Sequence, residues 1–433
     1  MTASPNVVTS TPGGDRDDAP ATNPFGPATA LACRECGRRY PISASYACDD
    51  CFGPLEVAYA FGPVTHADIE TGPASMWRYA PLLPVPTDIA SRKNLSPGLT
   101  QLVRADNLAA ALGMSSLWVK DDSGNPTHSF KDRVVAVALT AAQQLGFTTV
   151  GCASTGNLAN AVAAAAARAG LRSCVFVPSD LEAGKIVTTA VYGGTLVAVD
   201  GTYDDVNRLC SEVAGDLDWG FVNVNLRPFY AEGSKTMGYE IAEQLGWRLP
   251  QQVVVPVASG SLLTKVDKAF SELTELGLVS SSPYRMFGAQ ATGCSPVSQA
   301  FANDWDAVKP VKPATIAKSL AIGNPADGPY ALDVVRRTGG AIADVSDAEI
   351  VEGIQLLAST EGIFAETAGG VTVATLRKLL AEGRLDPDAE TVVLNTGDGL
   401  KTLDAVEPVA QPSTTIAPSY AAFRSFADER GLA

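Results

Sequence analysis

Short runs of apolar, often β-branched residues alternate along this chain with longer alanine-rich segments of helical period. The short runs have the length and composition of buried strands, and the longer segments favour helices. Strands are predicted at residues 117–120, 148–152, 174–177, 196–199, 253–257 and 391–395, and helices at residues 133–145 and 158–169. This alternation is typical of βαβ units, and it predicts an α/β fold with a parallel sheet that helices cover on both faces.

The two ends of the chain depart from that pattern. Residues 1–30 are rich in Pro, Gly, Asp and Thr, and they predict a disordered tail because so little apolar surface cannot offset the entropy of ordering. Residues 31–58 form a separate unit bounded by cysteines. Residues 406–433 are predicted to be a C-terminal tail, in which residues 420–430 could form a short helix.

The charge balance narrows the choice of partners. The 433 residues include 47 Asp and Glu against 32 Lys and Arg, a formal net charge of −15. An acidic surface repels nucleic acid and anionic membranes. No apolar run approaches the ~18 residues of a membrane-spanning helix, and the first 30 residues lack the features of a secretory signal. We therefore expect a cytoplasmic protein that binds neither nucleic acid nor membrane.

Four of the eight cysteines form two closely spaced CxxC pairs, with eleven residues between the pairs: Cys33, Cys36, Cys48 and Cys51. Four thiolates in this arrangement favour a tetrahedral structural metal site, usually zinc, although iron accepts the same ligands. Two disulfides are the rival interpretation. The other four cysteines are scattered along the chain, which suits a reduced cytoplasm and favours the metal.

The segment Asn125-Pro-Thr-His-Ser-Phe-Lys-Asp-Arg133 places Lys131 between a loop signal and a predicted helix. Ligands of open α/β folds bind at such junctions, at the carboxyl ends of the strands. A partly desolvated lysine can form a Schiff base with an aldehyde cofactor. Taken alone, however, a lysine here is more often a solvated residue at a helix start. The neighbouring His128 is as well explained by packing as by chemistry, and we assign it no catalytic role.

Three other junctions carry small polar residues. Ser154-Thr-Gly-Asn157 offers hydroxyls and free N–H groups at a helix N-terminus, which suits an anion, although an ordinary N-cap explains the same residues. The run from residue 253 to 261 ends in a small-residue turn that could hold a phosphate, as could many tight βα turns. The fourth junction is Leu394-Asn-Thr-Gly-Asp-Gly399.

Over roughly residues 76–405, these segments resemble the fold-type II pyridoxal-phosphate enzymes, and within them the threonine synthase family. The most specific piece is Ser129-Phe-Lys-Asp-Arg133. The other matching pieces follow in the family's order at residues 153–157, 225–236, 319–325, 361–364 and 395–401. The resemblance implies a tryptophan synthase β-like fold with two open α/β subdomains, the smaller one inserted at about residues 135–225, and the cofactor in the cleft. It also implies a homodimer, and the cysteine unit resembles the small ribbon of some family members.

The resemblance also implies roles for individual residues. Lys131 would carry pyridoxal phosphate and act as the proton-transfer base, with Phe130 before it. Asn157 would hydrogen-bond the phenolic oxygen of the cofactor, and Thr396 would meet its pyridine nitrogen. The cofactor phosphate would lie in a turn that has fewer Gly and Asn residues than is usual in the family: Ala258, Ser259, Gly260, Ser261 and Leu262.

For the substrate, the resemblance implies that Ser154 and Thr155 hold the carboxylate. Arg227 and Lys185 are candidates for a second phosphate site, because guanidinium and ammonium groups bind phosphate. A surface charge or a structural ion pair is the alternative for both.

The implied reaction converts O-phospho-L-homoserine and water to L-threonine and phosphate by γ-elimination and β-hydration. A threonine or serine dehydratase, or a cysteate-synthase-like β-replacement enzyme, would share the lysine and both anion loops, so these activities remain alternatives. A nucleic-acid or protein-binding module built on the cysteine unit belongs to a different class. The acidic balance of the chain weighs against it.

Overall fold

The computed structural model describes residues 23–92 and 94–432. Most of the predicted N-terminal tail, residues 1–22, lies outside the described residues. The predicted tail boundary at residue 30 is too late, because the first strand already begins at Ala28. Ala28 and Ala30 are buried in that strand, so their apolar side chains belong to the cysteine unit.

The strands of the described chain, in order, are β1 Ala28–Cys33, β2 Arg39–Tyr40, β3 Leu55–Tyr59, β4 Gln101–Arg104, β5 Leu117–Asp121, β6 Thr149–Ala153, β7 Arg172–Pro178, β8 Thr195–Val199, β9 Gly220–Phe221, β10 Gln252–Pro256, β11 Arg285–Ala291, β12 Ala341–Val345 and β13 Thr391–Asn395. All six predicted strands are present, with ends that differ by no more than two residues. The sequence did not reveal β4, β11 and β12. Two of these contain polar or glycine residues that interrupt the apolar run, and β4 lies at a sheet edge.

The helices are α1 His66–Glu70, α2 Asp106–Leu112, α3 Lys131–Gln144, α4 Asn157–Ala169, α5 Ala183–Ala190, α6 Tyr203–Asp216, α7 Arg227–Gly233, α8 Lys235–Gln244, α9 Ser261–Glu275, α10 Pro296–Ala302, α11 Gly328–Arg337, α12 Asp347–Glu361, α13 Thr367–Ala381 and α14 Tyr420–Arg430. Helix α3 begins two residues before its predicted start, so Lys131 is its first residue. The C-terminal helix has the predicted bounds. Among the described helices, none combines the length and apolarity needed to cross a membrane.

The strands form three sheets. The cysteine unit is an antiparallel ribbon in the order β2-β1-β3, and the largest sheet has the order β12-β11-β10-β13-β5-β4. All neighbours in the large sheet are parallel except the edge pair β4 and β5. A smaller parallel sheet, β8-β7-β6-β9, falls within the range predicted for the inserted subdomain. Both the predicted α/β class and the N-terminal ribbon are confirmed.

The topology explains where a site can form. Strands β10, β13 and β5 are adjacent in the large sheet, so the loops after them emerge at one edge. These loops contain the phosphate turn, Thr396 and Lys131. The loop after β6, from the smaller sheet, supplies the fourth junction. Because ligands of open parallel sheets bind beyond the carboxyl ends of the strands, this edge is the expected binding position.

Candidate active site

All four junctions surround one cavity. Lys131, Asn157, Gly260 and Thr396 line a space of roughly 530 Å³, a volume that includes its opening to solvent. A wider space of roughly 1090 Å³, which we call the outer chamber, shares Lys131 with this cavity. Together the two spaces are large enough for a cofactor and a small substrate.

Lys131 is held at the start of α3 by hydrogen bonds between its loop and the loop after β13. The Phe130 N–H donates to the Thr396 carbonyl at 3.0 Å, and the Asp398 N–H donates to the His128 carbonyl at 3.1 Å. His128 itself is exposed and borders a different cavity, in agreement with its omission from the catalytic residues. These hydrogen bonds fix the loop, and the Lys131 side chain lines the cavity between the large sheet and the smaller parallel sheet.

The Lys131 ammonium is half-buried and has few polar neighbours. Its Nζ donates to the Tyr230 hydroxyl at 2.9 Å and lies 4.4 Å from the centre of the Phe130 ring. Burial lowers the pKa of Lys131 to about 8, although the Glu366 carboxylate opposes this shift. A substantial fraction of the amine is therefore neutral at mildly alkaline pH, as a nucleophile or a proton-accepting base requires.

Asn157 has an unpredicted partner in this cavity. Its Nδ2 donates to both carboxylate oxygens of Glu366, at 3.0 and 2.9 Å, and its Oδ1 is buried without a partner among the described residues. The donor that a phenolic oxygen would need is thus engaged with Glu366. The predicted hydrogen bond to the cofactor remains a prediction, and it requires this amide to share its protons with a second acceptor.

The turn between β10 and α9 has the features of an anion cradle. Gly260 has φ +96°, and a Cβ there would lie 2.6 Å from the Asp327 carbonyl oxygen, so the turn requires glycine. Helix α9 begins at Ser261, and no side chain caps its N-terminus. Its free N–H groups and the helix dipole favour a phosphate at this position. Ala258, Ser259 and Leu262 complete the cavity wall.

The two hydroxyls of the Ser154-Thr-Gly-Asn157 loop have different surroundings. The Ser154 Oγ accepts from the N–H groups of Gly156 and Ala159, at 3.0 and 2.8 Å, so it satisfies the helix start as the N-cap interpretation expects. Its hydroxyl proton remains available as a donor. Thr155 is half-buried and faces the outer chamber beside Ser154.

The two candidates for a second phosphate site lie in different places. Arg227 lines the outer chamber and pairs with Asp327 at 2.8 Å. Lys185 borders the cavity of His128 instead, and its Nζ lies 3.3 Å from Glu182. The structure therefore brings Arg227 to the chamber but not Lys185, because the Lys185 side chain packs against the far side of the loop at Gly156.

Several residues of the cavity wall were not predicted from the sequence, among them Tyr230, Ser319 and Glu366. The first two lie inside the matched segments at residues 225–236 and 319–325, so the signal was present but not their orientation. The Ser319 Oγ is buried and has no hydrogen-bond partner among the described residues. Glu366 lies just beyond the match at residues 361–364, and nothing in its local sequence distinguishes it from a surface glutamate.

The four ribbon thiols form a compact cluster. All four sulfur atoms lie within 4.8 Å of one another, with 3.4 Å between the sulfurs of Cys33 and Cys51 and 3.7 Å between those of Cys36 and Cys48. A tetrahedral zinc site with ~2.3 Å bonds places its sulfurs ~3.8 Å apart, whereas a disulfide needs ~2.05 Å. The cluster therefore fits a four-thiolate metal site.

Comparisons with known proteins agree with the fold and the cavity. A family model described as "Pyridoxal-phosphate dependent enzyme" matches residues 94–397. Solved structures with similar folds include a diaminopropionate ammonia lyase from Escherichia coli, with a TM-score of 0.63 at 18% identity over 81% of this chain and 94% of that one. A threonine deaminase from Solanum lycopersicum has a TM-score of 0.61 at 18% identity, over 82% and 99%. At this identity the two structures support the fold alone.

The chain therefore belongs to the pyridoxal-phosphate dependent enzymes. Within them its curated relatives are threonine synthases, and it falls in that group. It is 38% identical to the threonine synthase of Methanocaldococcus jannaschii, over 86% of this chain and 93% of the relative. It is 36% identical to that of Methanosarcina acetivorans, over 91% and 97%. The resemblance inferred from the motifs is confirmed.

Proposed function

We propose that the protein converts O-phospho-L-homoserine and water to L-threonine and phosphate. The observation that carries this proposal is the match to threonine synthases along almost their whole length, at 36–38% identity. The cavity around Lys131 supports it, because a basic residue, Arg227, faces the outer chamber where the phosphate of a substrate would lie.

The residues of the inner cavity fit pyridoxal phosphate. Lys131 would hold it covalently through Nζ, and the N–H groups of the turn before α9 would bind its phosphate. Thr396 would meet the pyridine nitrogen, and Phe130 would line the site. The bound cofactor supplies an electron sink for the negative charge that forms at the α-carbon. A neutral hydroxyl at Thr396, in place of a carboxylate, would leave the pyridine nitrogen largely unprotonated.

The substrate would be held at both ends. Ser154 and Thr155 lie at the N-terminus of α4, where the hydroxyls and the helix dipole favour a carboxylate. Arg227 would bind the phosphate with its guanidinium, sharing that group with Asp327. Binding at two ends orients the α- and β-carbons beside Lys131.

Lys131 would move the protons. Its lowered pKa allows Nζ to take a proton from the α-carbon, and the Tyr230 hydroxyl at 2.9 Å keeps Nζ in place. After a proton leaves the β-carbon, the γ-phosphate would depart and the γ-carbon would take up a proton. Water would then add its hydroxyl at the β-carbon, and a proton would return to the α-carbon to give threonine. Arg227 would stabilise the charge on the departing phosphate.

We further propose that the four ribbon thiolates bind zinc as a structural ion, and that the protein acts as a cytoplasmic homodimer. The sulfur spacings support the metal. Metal analysis of the purified protein should find about one zinc per chain, and light scattering should give twice the mass of one chain. A metal-free protein or a monomer would contradict the respective proposal.

Turnover assays test the proposed reaction. We expect the holoenzyme to release equal amounts of phosphate and threonine from O-phospho-L-homoserine, and to act poorly on serine, threonine and O-phosphoserine. Lys131→Ala should lose the visible absorption of the bound cofactor and at least ~10³-fold in rate, as expected when a covalent catalytic group is removed. Deamination of serine or threonine without phosphate release from O-phosphohomoserine would establish the dehydratase alternative instead.

A further inference from the structure

The cysteine ribbon reaches the outer chamber. Tyr46, in the loop between β2 and Cys48, lines this chamber together with Arg227 and Asp327. Its side chain is 42% exposed, whereas Leu31, Leu55 and Val57 of the same ribbon are buried. The ribbon therefore contributes an aromatic ring to the chamber wall.

The position of Tyr46 is fixed by the ribbon itself. The Leu55 N–H donates to the Tyr46 carbonyl at 2.9 Å, which ties the loop to β3. An isolated β-bridge joins Ala47 to Pro54, and Cys48 of the thiol cluster follows directly. The backbone that carries the ring is therefore held by the same short segment that supplies one of the four thiols.

The first CxxC pair is attached to the chamber wall through α11. The Tyr330 hydroxyl donates to the Glu35 carboxylate, and the Arg34 guanidinium lies 3.8 Å from the centre of the Tyr330 ring. Asp327, at the N-terminus of α11, pairs with Arg227, and its N–H donates to the Ser259 carbonyl at 2.8 Å. These contacts link the ribbon to Arg227 and to the phosphate turn.

A second, half-buried contact helps to fix the orientation of the ribbon. Glu56 of β3 pairs with Lys265 of α9 at 2.9 Å, and the Tyr59 hydroxyl donates to Glu232 of α7 at 2.6 Å. The pKa of Glu56 is lowered to about 2, because Lys265 and its basic neighbours outweigh the opposing effect of burial. Two separated contacts, one on α11 and one on α7 and α9, fix the orientation of the ribbon against the chamber.

We propose that the ribbon is part of the substrate site, and that the Tyr46 ring is a specificity-determining residue that closes the outer side of the chamber over the bound substrate. This inference rests on the proposed function. The ring narrows the chamber and excludes water near Arg227, and excluding water strengthens the attraction between a guanidinium and a phosphate. The ribbon thus supplies a wall that the two α/β subdomains lack.

The test compares three variants of the full-length holoenzyme. Tyr46→Ala should raise KM for O-phospho-L-homoserine about 10-fold, the loss expected for an aromatic contact, with kcat within about 2-fold of the parent. Tyr46→Phe keeps the ring and should stay within about 2-fold in both. Phe52→Ala removes an aromatic residue that is 83% exposed on the same ribbon, and it should leave both constants unchanged.

A binding measurement separates this role from a structural one. The substrate concentration that half-saturates the change in visible cofactor absorption should rise about 10-fold in Tyr46→Ala, while metal content and the unfolding midpoint stay at parental values. An unchanged KM and unchanged half-saturation in Tyr46→Ala would overturn the inference, as would an equal defect in Phe52→Ala. If the unmodified enzyme releases no phosphate from O-phosphohomoserine, the proposed function fails, independently of the comparison among variants.

Discussion

Lys131 and Arg133 lie two residues apart in the first turn of α3, yet their surroundings are opposite in character. Arg133 is fully buried and Lys131 is half-buried. Arg133 pairs with Asp122 at 2.7 Å and with Glu240 at 2.5 Å. Lys131 has one hydrogen bond, to the neutral Tyr230 hydroxyl. A buried charge with full pairing is a structural element, whereas one that lacks an ionic partner at hydrogen-bond distance is maintained for chemistry.

The surroundings of the two residues extend this contrast. Lys120 donates to Glu240 and to the Thr100 carbonyl, both at 2.7 Å, so the network around Arg133 is closely satisfied. Burial alone would raise the pKa of Glu240, but Arg133 and Lys120 lower it to about 2. Within the part of the chain that the structure describes, two unpartnered buried atoms belong to residues that line the Lys131 cavity, Asn157 Oδ1 and Ser319 Oγ. Such atoms are costly unless a ligand completes them.

The largest effect on stability is expected at Arg133, the fully paired residue. Arg133→Met should lower the free energy of unfolding by about 3–5 kcal/mol, because Asp122 loses its buried countercharge and Glu240 keeps only Lys120. Urea unfolding of the cofactor-free protein measures this change.

A matched pair of variants sharpens that result. Arg133→Met combined with Asp122→Asn removes the uncompensated carboxylate and should recover part of the loss. Arg133→Lys keeps the charge but not the forked geometry, and it should fall between parent and Arg133→Met. A loss below about 1 kcal/mol in Arg133→Met would show that the network contributes little, and the contrast with Lys131 would fail.

The second prediction concerns the effect of pH on stability through Lys131. The folded pKa of Lys131 is about 8, against 10.5 for an ordinary lysine, so between these values the unfolded chain binds a proton that the folded apoprotein does not. The free energy of unfolding should therefore rise with pH across this window, by about 3 kcal/mol from this residue.

Lys131→Met should remove that part of the rise. Below pH 8, we expect the variant apoprotein to be about 3 kcal/mol more stable than the parent, and the difference should vanish near pH 10.5. Chemical unfolding of both proteins at several pH values gives the difference directly, with other titrating groups cancelling. A constant difference across the window would mean that Lys131 does not titrate there.

The smallest effect distinguishes two neighbouring hydroxyls. Ser154→Ala removes the acceptor for the N–H groups of Gly156 and Ala159, and should lower the free energy of unfolding by about 1 kcal/mol, as for other helix caps. Thr155→Val should stay within about 0.5 kcal/mol but raise KM for the substrate. Equal destabilisation by both changes would contradict the inference that Ser154, and not Thr155, stabilises the helix start.

Much of the fold could be predicted because the strongest strands and helices have local patterns. Six strands and, to within two residues, the starts of α3 and α4 follow from apolar period and turn residues. Strands β4, β11 and β12 were not predicted, because their local apolar pattern is weak and their place in the sheet depends on neighbours distant in sequence. Lys185 is a similar case, because a lysine can bind phosphate and was therefore a candidate. Its side chain packs beside Gly156 and borders the cavity of His128, and this position depends on tertiary packing.

The sequence by itself predicted a lysine at a loop-to-helix junction as the cofactor residue, with three more polar junctions in a recognisable order. Those features are local, because turn geometry and helix starts depend on adjacent residues. Only the tertiary structure decided that Glu366 faces Asn157 and that Tyr46 of the ribbon lines the outer chamber together with Lys131. Such contacts join segments far apart in the chain, and their formation depends on the packing of whole sheets and helices.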